Sequence, residues 1–267
     1  MIFTVHAFDP ILVKAGPFVV YWYGMMYLIG FLGAYAYCDY ARLKQTNPWA
    51  SDDIMDLFFY GALGVIFGGT WGYLILYDPH VLLSDPLRAL RFWEAGRSFH
   101  GGLLGVLLAL FIFARRRQRS FWEVTDFIAP AVPIGIATGR FGNFMNGELW
   151  GRVSDVPWAM IFPEAGALPR HPSQLYELGL EGIVLFIILQ CYIRTPKPQA
   201  AVSGLFMLGY GVMRFIVEFF REPDIGQGFI AWGWITKGQI LSIPMILIGL
   251  LILVYAYRYG ANQTKAR

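Results

Sequence analysis

The chain predicts an all-α, polytopic membrane helix bundle, and three observations carry that reading. It is 57% hydrophobic over 267 residues, with a mean hydropathy of +0.50. Only 15% of its residues are charged, against about a quarter in water-soluble domains. Apolar runs of ~20 residues, enough to cross a hydrocarbon core about 30 Å thick, recur from end to end. They predict seven transmembrane spans, at 18–38, 54–77, 98–114, 124–142, 174–193, 202–220 and 239–257. Seven such spans take roughly half the chain, so residues 1–267 are expected to form a single integral membrane domain.

The first run is expected to be a retained span. Met1 to Pro17 lacks a basic stretch ahead of an apolar core, and the run ends in Tyr37-Cys38-Asp39-Tyr40 with no small-residue cleavage site. In the second, third and fourth spans, glycines recur at four-residue spacing: Gly64, Gly68 and Gly72, then Gly101 and Gly105, then Gly135 and Gly139. Such spacing lets helix backbones approach closely, and tight packing is sufficient to explain it. The fourth span is the weakest, being broken by Pro130 and Pro133 and flanked by Asp126 and Arg140. A broken helix at membrane depth is tolerated where the freed backbone faces protein or a wet cavity. The longest outer connection, 143–173, follows it.

With seven spans, Arg42 and Lys44, the Arg115-Arg116-Arg117-Gln118-Arg119 cluster, Arg194 and Lys197, and Arg258, Lys265 and Arg267 share one side. The positive-inside rule makes that side cytoplasmic, with the N-terminus periplasmic and the C-terminus cytoplasmic. The opposite side carries Arg88, Arg91, Arg97, Arg152, Arg170 and Arg221 mixed with acidic residues.

Several function classes are disfavoured. The net charge of +3 comes without a basic tract interleaved with aromatics, so no nucleic-acid partner is expected. Cys38 and Cys191 both lie at cytoplasmic ends of apolar runs, where neither a disulfide nor a reactive thiol is expected. No histidine pair or cysteine cluster has metal-ligand spacing, and no glycine-rich phosphate loop is present. Neither metal nor cofactor is expected.

Ionisable groups in apolar spans are costly, so each implies a partner or a role. Four clusters stand out. In 139–151, Arg140 and Asn143 share a helical face at i, i+3, and Asn146 and Glu148 extend the polar lining. A guanidinium among amides and glycines presents many donors to a phosphate, although an arginine at a helix end also snorkels to the interface. In the sixth span Tyr210, Arg214, Glu218 and Arg221 fall on one face. Arg214 and Glu218 pair at i, i+4, and the stripe reads as the wall of a polar cavity. In Ser98-Phe99-His100-Gly101-Gly102 the histidine has the pKa of a proton acceptor near neutrality, and the glycines admit a substrate or a second backbone. Finally, 170–177 with Glu181 reads as a helix start, with Ser173 as a possible N-cap and Glu177 and Glu181 on one face. These side chains suit an anionic, partly apolar ligand such as a phospholipid, with its tails in the bilayer and its phosphate on arginine. An anionic-lipid transporter or flippase would use the same arginines, but no internal repeat marks one. A purely structural scaffold leaves Arg140, Arg214 and His100 without a reason.

The stretch GRFGNFMNGELWG at 139–151 resembles the signature of the bacterial prolipoprotein diacylglyceryl transferase family. WYGMMY at 22–27, SFHGG at 98–102, RHPSQLYE at 170–177, GYGVMRFIVEFFREPD at 209–224 and GQILSIPM at 238–245 resemble it too, in order along nearly the whole chain. The resemblance implies transfer of the sn-1,2-diacylglyceryl group of phosphatidylglycerol to the lipobox cysteine thiol of a preprolipoprotein. A thioether forms and glycerol phosphate leaves, in the bacterial cytoplasmic (inner) membrane with the site on the periplasmic side. It implies that Arg140 and Arg214 hold the phosphate and that His100 is the candidate base, to which Glu218 or Glu148 could contribute. Tyr23, Asn143, Asn146, Glu148, Gly151, Tyr210 and Glu218 match family positions that matter for activity. Position 21 is tyrosine here, where some members carry histidine.

Overall fold

Helix dominates the protein, as the apolar runs predict, and short strands enter at places where they do not. The computed structural model describes residues 4–6, 8–44, 49–94, 96–223 and 228–260; Asp224, Lys265 and Arg267 lie outside them. In chain order the elements are β1 (Thr4–Val5), β2 (Ile11–Ala15), β3 (Phe18–Tyr21), α1 (Trp22–Arg42), α2 (Ser51–Leu76), α3 (Pro79–Ser84) and a 3-10 turn (Pro86–Leu90). Then come α4 (Phe99–Arg116), α5 (Phe121–Ile128), a 3-10 turn (Ala129–Ala131), α6 (Val132–Met145), β4 (Met160–Ile161) and β5 (Pro169–Arg170). Next are α7 (Ser173–Glu177), a π-helical stretch (Leu178–Val184), α8 (Leu185–Tyr192), α9 (Ala201–Val217) and α10 (Lys237–Tyr255), which a second π stretch (Ala256–Gly260) continues. Two compact units result: Met1–Tyr37 with Asp126–Arg267, and Cys38–Thr125.

The smaller unit is built on the pairing of α2 with α4, and glycine makes that pairing possible. A methyl group on Gly68 would stand 2.4 Å from the Gly101 carbonyl oxygen, and one on Gly64 would stand 2.6 Å from that of Gly105. A methyl group on Gly72 would meet the Gly101 Cα at 2.5 Å. Close backbone packing therefore accounts for these five glycines. Helix α4 begins at the Ser98 N-cap, whose hydroxyl accepts the Gly101 N–H at 3.2 Å, while the Ser98 N–H donates to Gly69 O at 2.9 Å. At the other end the arginine cluster meets acid from the start of α2. Arg117 pairs with Asp53 at 3.1 Å and also with Asp56, and Arg116 donates to the Tyr60 hydroxyl at 2.6 Å.

In the larger unit, β2 and β3 form an antiparallel hairpin that turns at Gly16, with φ of +60°. The first span was expected to be helical from residue 18; instead the helix starts at Trp22. The β-branched residues at 11, 13, 19 and 20 around a Gly-Pro turn favour paired strands over a helix. Elsewhere in this unit β1 pairs parallel to β4, and β4 antiparallel to β5. The weak fourth span does break where its prolines stand, into α5, the 3-10 turn and α6. Asp126 at that break caps another helix: its carboxylate accepts the N–H groups of Ala200 at 2.7 Å and Ser203 at 2.8 Å, at the start of α9. Ala129, Leu185, Leu189, Val202 and Met213 form the apolar core beside it.

The glycines of α6 depart from the packing expectation. A methyl group on Gly135 or Gly139 would meet nothing within 4 Å. The close approach is made by their partners instead: by Gly30 of α1, where it would fall 3.2 Å from the Gly135 Cα, and by Gly182 of the π stretch, 2.9 Å from the Ala137 Cα.

Among the described residues, four helices are long and apolar enough to cross a membrane: Ser51–Leu76, Phe99–Arg116, Ser173–Tyr192 and Lys237–Tyr259, the last two counted through their π stretches. Ala201–Val217 is apolar but shorter. Large exposed side chains such as Leu104, Leu108, Leu247 and Leu251 cover these helices. Such a surface is stable in lipid and would be an aggregation site in water.

Gly101→Ala is expected to lower the thermal midpoint in detergent, by a loss of roughly 1–3 kcal/mol, because the methyl group meets backbone that cannot swing away. Gly102→Ala, whose methyl group meets only Val65 O at 3.8 Å, should melt close to the parent. Equal melting of the two variants would contradict the glycine seam.

Candidate active site

An arginine in an apolar span costs about 2.5–3.5 kcal/mol at the bilayer centre unless it is compensated, and the larger unit compensates two of them together. Arg140 on α6 places Nε 3.1 Å from Glu177 Oε2 and a terminal nitrogen 3.5 Å from Glu181 Oε2. Arg214 on α9 pairs with Glu177 and Glu218 and stands 3.5 Å from Glu181 Oε1. Glu177 and Glu181 are wholly buried. Glu218 accepts the Thr236 hydroxyl at 2.5 Å and faces Arg221 at 3.3 Å. Tyr210, one turn before Arg214, lies within electrostatic reach of Arg140, Arg214, Glu177 and Glu181. Arg214 and Glu218 thus form the i, i+4 ion pair that their spacing predicts, with Glu218 and Arg221 just beyond the end of α9. Arg140 is directed at the carboxylates of Glu177 and Glu181.

A second polar group sits one turn further along α6. The Asn143 amide donates to Glu148 Oε1 at 2.8 Å, and that of Asn146 reaches the same oxygen at 3.4 Å. Tyr23 on α1 stands beside both Asn143 and Glu148, and it packs on Gly142, where a methyl group would come 3.2 Å from its ring. Gln174 donates to Glu148 O at 2.5 Å and Ser173 to Leu149 O at 2.9 Å. Ser173 is therefore the first residue of its helix and not a cap acceptor: its hydroxyl donates to the crossing loop instead of accepting from its own first turn.

Gly151 closes the loop against two other backbone segments. A methyl group there would stand 2.5 Å from His171 O and 2.6 Å from Phe220 O. Neighbouring Arg152 donates from Nε to Arg221 O and from a terminal nitrogen to Glu218 O, both at 3.0 Å. Arg170 pairs with Glu222 at 3.2 Å. The end of α6 is also clasped from the N-terminal segment. His6 is buried, donates its N–H to Ile161 O at 2.8 Å, stacks on Phe162 and hydrogen-bonds the Phe144 carbonyl through its ring. Burial pulls its imidazole below the ordinary histidine range. His171, shielded and beside Arg152, is pulled down as well.

Of the residues singled out from sequence, Arg140, Arg214, Glu218, Tyr210 and Arg221 come together, and Tyr23, Asn143, Asn146 and Glu148 form the adjoining group. Gly151 serves as the backbone crossing. His100 belongs to the smaller unit, exposed in the first turn of α4 with its ring against Phe99. Glu177 and Glu181, read from sequence as supports of a helix start, are direct partners of both arginines. Two glutamates four apart at the head of an apolar run, in a chain with two arginines needing counter-charge, were the available signal. Thr236 carried none, since a helix N-cap needs no other reason.

The larger unit thus defines a class: a multi-pass helical membrane protein with a buried arginine–carboxylate site. Residues 10–255 match the family described as prolipoprotein diacylglyceryl transferase, and the chain belongs to that family. It is 52% identical over 264 residues to the phosphatidylglycerol–prolipoprotein diacylglyceryl transferase of Pseudomonas aeruginosa, covering 98% of this chain and 99% of that protein. To the protein of the same name from Vibrio campbellii it is 54% identical over 259 residues, 97% of this chain and 94% of the relative. The relative so named from Vibrio cholerae is 52% identical over 257 residues, covering 96% and 94%.

Because the folded protein holds His6 below its unfolded value of about 6.5, the unfolded chain binds the proton first as pH falls. Its contribution is complete above that value and is lost as pH drops through the folded one. The thermal midpoint in detergent should fall between pH 7.5 and 5.5, and His6→Gln should flatten part of that slope. An unchanged slope in the variant would remove His6 from this role.

Proposed function

We propose that this chain transfers the sn-1,2-diacylglyceryl group of phosphatidylglycerol to the lipobox cysteine thiol of preprolipoproteins. The observation that carries the reading is the buried pair Arg140 and Arg214, held side by side by the shared carboxylate of Glu177. Two guanidiniums among apolar helices suit a lipid phosphate, and the relatives' names supply the donor and the acceptor.

In the reaction, the cysteine sulfur attacks the glyceryl carbon that bears the phosphate ester. A C–S bond forms, the C–O bond breaks, and glycerol phosphate leaves with the electron pair. Arg140 and Arg214 stabilise the charge gathering on the departing phosphate. The thiol proton passes to a base, for which His100 is our candidate, with Glu218 or Glu148 as alternatives. Tyr23, Asn143, Asn146, Glu148, Gly151, Tyr210 and Arg221 shape the surroundings of the headgroup and the acceptor.

The same reading makes the chain a single membrane domain in the bacterial cytoplasmic membrane, crossing seven times from a periplasmic N-terminus to a cytoplasmic C-terminus. The site then opens toward the periplasm. The run of arginines at 115–119 supports that orientation through the positive-inside rule, and His100 lies at the opposite end of α4 from Arg116, about 24 Å away at 1.5 Å per residue.

Purified protein given phosphatidylglycerol and a lipobox peptide should release glycerol phosphate, and a serine analogue of the peptide should abolish release. Arg140→Ala and Arg214→Ala should each lower turnover by roughly 10²–10³ while the protein remains folded. Near-parental turnover in either variant would refute the phosphate role. Binding of phosphatidylglycerol without release would favour lipid transport. His100→Asn, if fully active at neutral and raised pH, would exclude His100 as the base.

A further inference from the structure

Both arginines of the site are already occupied. Arg140 and Arg214 face Glu177 and Glu181, and Arg214 also faces Glu218, which Arg221 balances. Among the described residues, these ion pairs join three guanidiniums to three carboxylates. A phosphate diester brings one further negative charge among buried side chains. Leaving that charge uncompensated costs more than neutralising a neighbour with a proton.

The three carboxylates are held unequally. Glu218 is fixed by Arg214, by Arg221 and by the Thr236 hydroxyl at 2.5 Å. Glu177 bridges both arginines, one oxygen to each. Glu181 also touches both, but only at 3.5 Å each; its Oε2 accepts no hydrogen bond, as is true of Glu177 Oε2, so the longer contacts are what set Glu181 apart. It lies within the π-helical stretch Leu178–Val184, and such a turn marks a place where a helix departs from its regular ladder, often at functional sites. The groups facing it are Arg140 from α6, Arg214 and Tyr210 from α9, and Glu177 from its own helix.

We propose that Glu181 is the carboxylate displaced by the lipid phosphate, and that it takes up one proton as it releases the two arginines. This rests on the transferase reading above. Neutral Glu181 becomes a hydrogen-bond donor toward the phosphate oxygens, so the site exchanges one anion for another at constant charge. When glycerol phosphate leaves, Glu181 loses the proton and returns to the arginines, which resets the site. Glu181 is in this sense a positioning residue: it governs how readily the guanidiniums become available.

Calorimetry of the intact protein in phosphatidylglycerol-free detergent, titrated with phosphatidylglycerol in two buffers of different ionisation enthalpy, counts protons directly. About one proton should be taken up per lipid by the parent protein and by Glu181→Asp, and none by Glu181→Gln. In steady state the KM for phosphatidylglycerol should rise toward tenfold per pH unit at high pH in the parent and stay flat in Glu181→Gln. Lipid binding by the parent without proton uptake, or uptake that persists in Glu181→Gln, overturns the exchange while leaving the transferase reading intact. Failure of the parent to bind phosphatidylglycerol overturns both.

Discussion

Guanidinium groups cannot be left alone in an apolar interior, and the larger unit is arranged around that constraint. Arg140 and Arg214 arise on different helices, and neither has enough counter-charge on its own helix. The balance is met by Glu177 and Glu181, which arrive from a third helix. Three segments distant in sequence are thereby bound to one point. Helices that must present such groups cannot all be regular. The fourth apolar run breaks at its prolines, and the span carrying the glutamates passes through a π stretch from Leu178 to Val184.

Backbone proximity is the second organising factor, and it works differently in the two units. Between α2 and α4 the small residues stack face to face, so that helix meets helix carbonyl to Cα. Around α6 the small residues that matter belong to its neighbours, Gly30 and Gly182. That leaves the surface at Gly135 and Gly139 open on the helix that carries Arg140. The same residue type thus records contact in one place and room in another, and only the surrounding atoms distinguish them.

The end of α6 is where the polar site meets the segment that follows that helix. Asn143, Asn146 and Glu148 are tied to each other, Gln174 holds the Glu148 carbonyl, and Gly151 admits two backbones at once. The N-terminal segment adds His6, buried among Phe8, Phe144 and Phe162. Chain that leaves a helix so close to a charged cluster needs its own hydrogen bonds satisfied, because buried amides without partners are costly. Arg152, donating to the carbonyls of Glu218 and Arg221, joins this segment to the end of α9.

The amino-acid sequence by itself determined the helical membrane character, the broken fourth run, and the identity of Arg140, Arg214 and Glu218 as groups in need of a purpose. Those features are legible because they follow from local chemistry: apolar length, proline, and charge in an apolar run. Helical periodicity sufficed for the stripe from Tyr210 to Arg221, since i, i+4 neighbours meet on any helix. Only the tertiary structure decided that Glu177 and Glu181 close the arginine site, that Asp126 caps α9, and that Ser173 serves a crossing loop. Each of these joins segments far apart in the chain, and no periodicity within one segment encodes which distant carboxylate a guanidinium will find. The hairpin before α1 was overlooked for the opposite reason. Its second strand, Phe18–Tyr21, is as apolar as the span that follows, so hydropathy merges that strand with α1, although the turn at Gly16 and Pro17 pairs it with Ile11–Ala15.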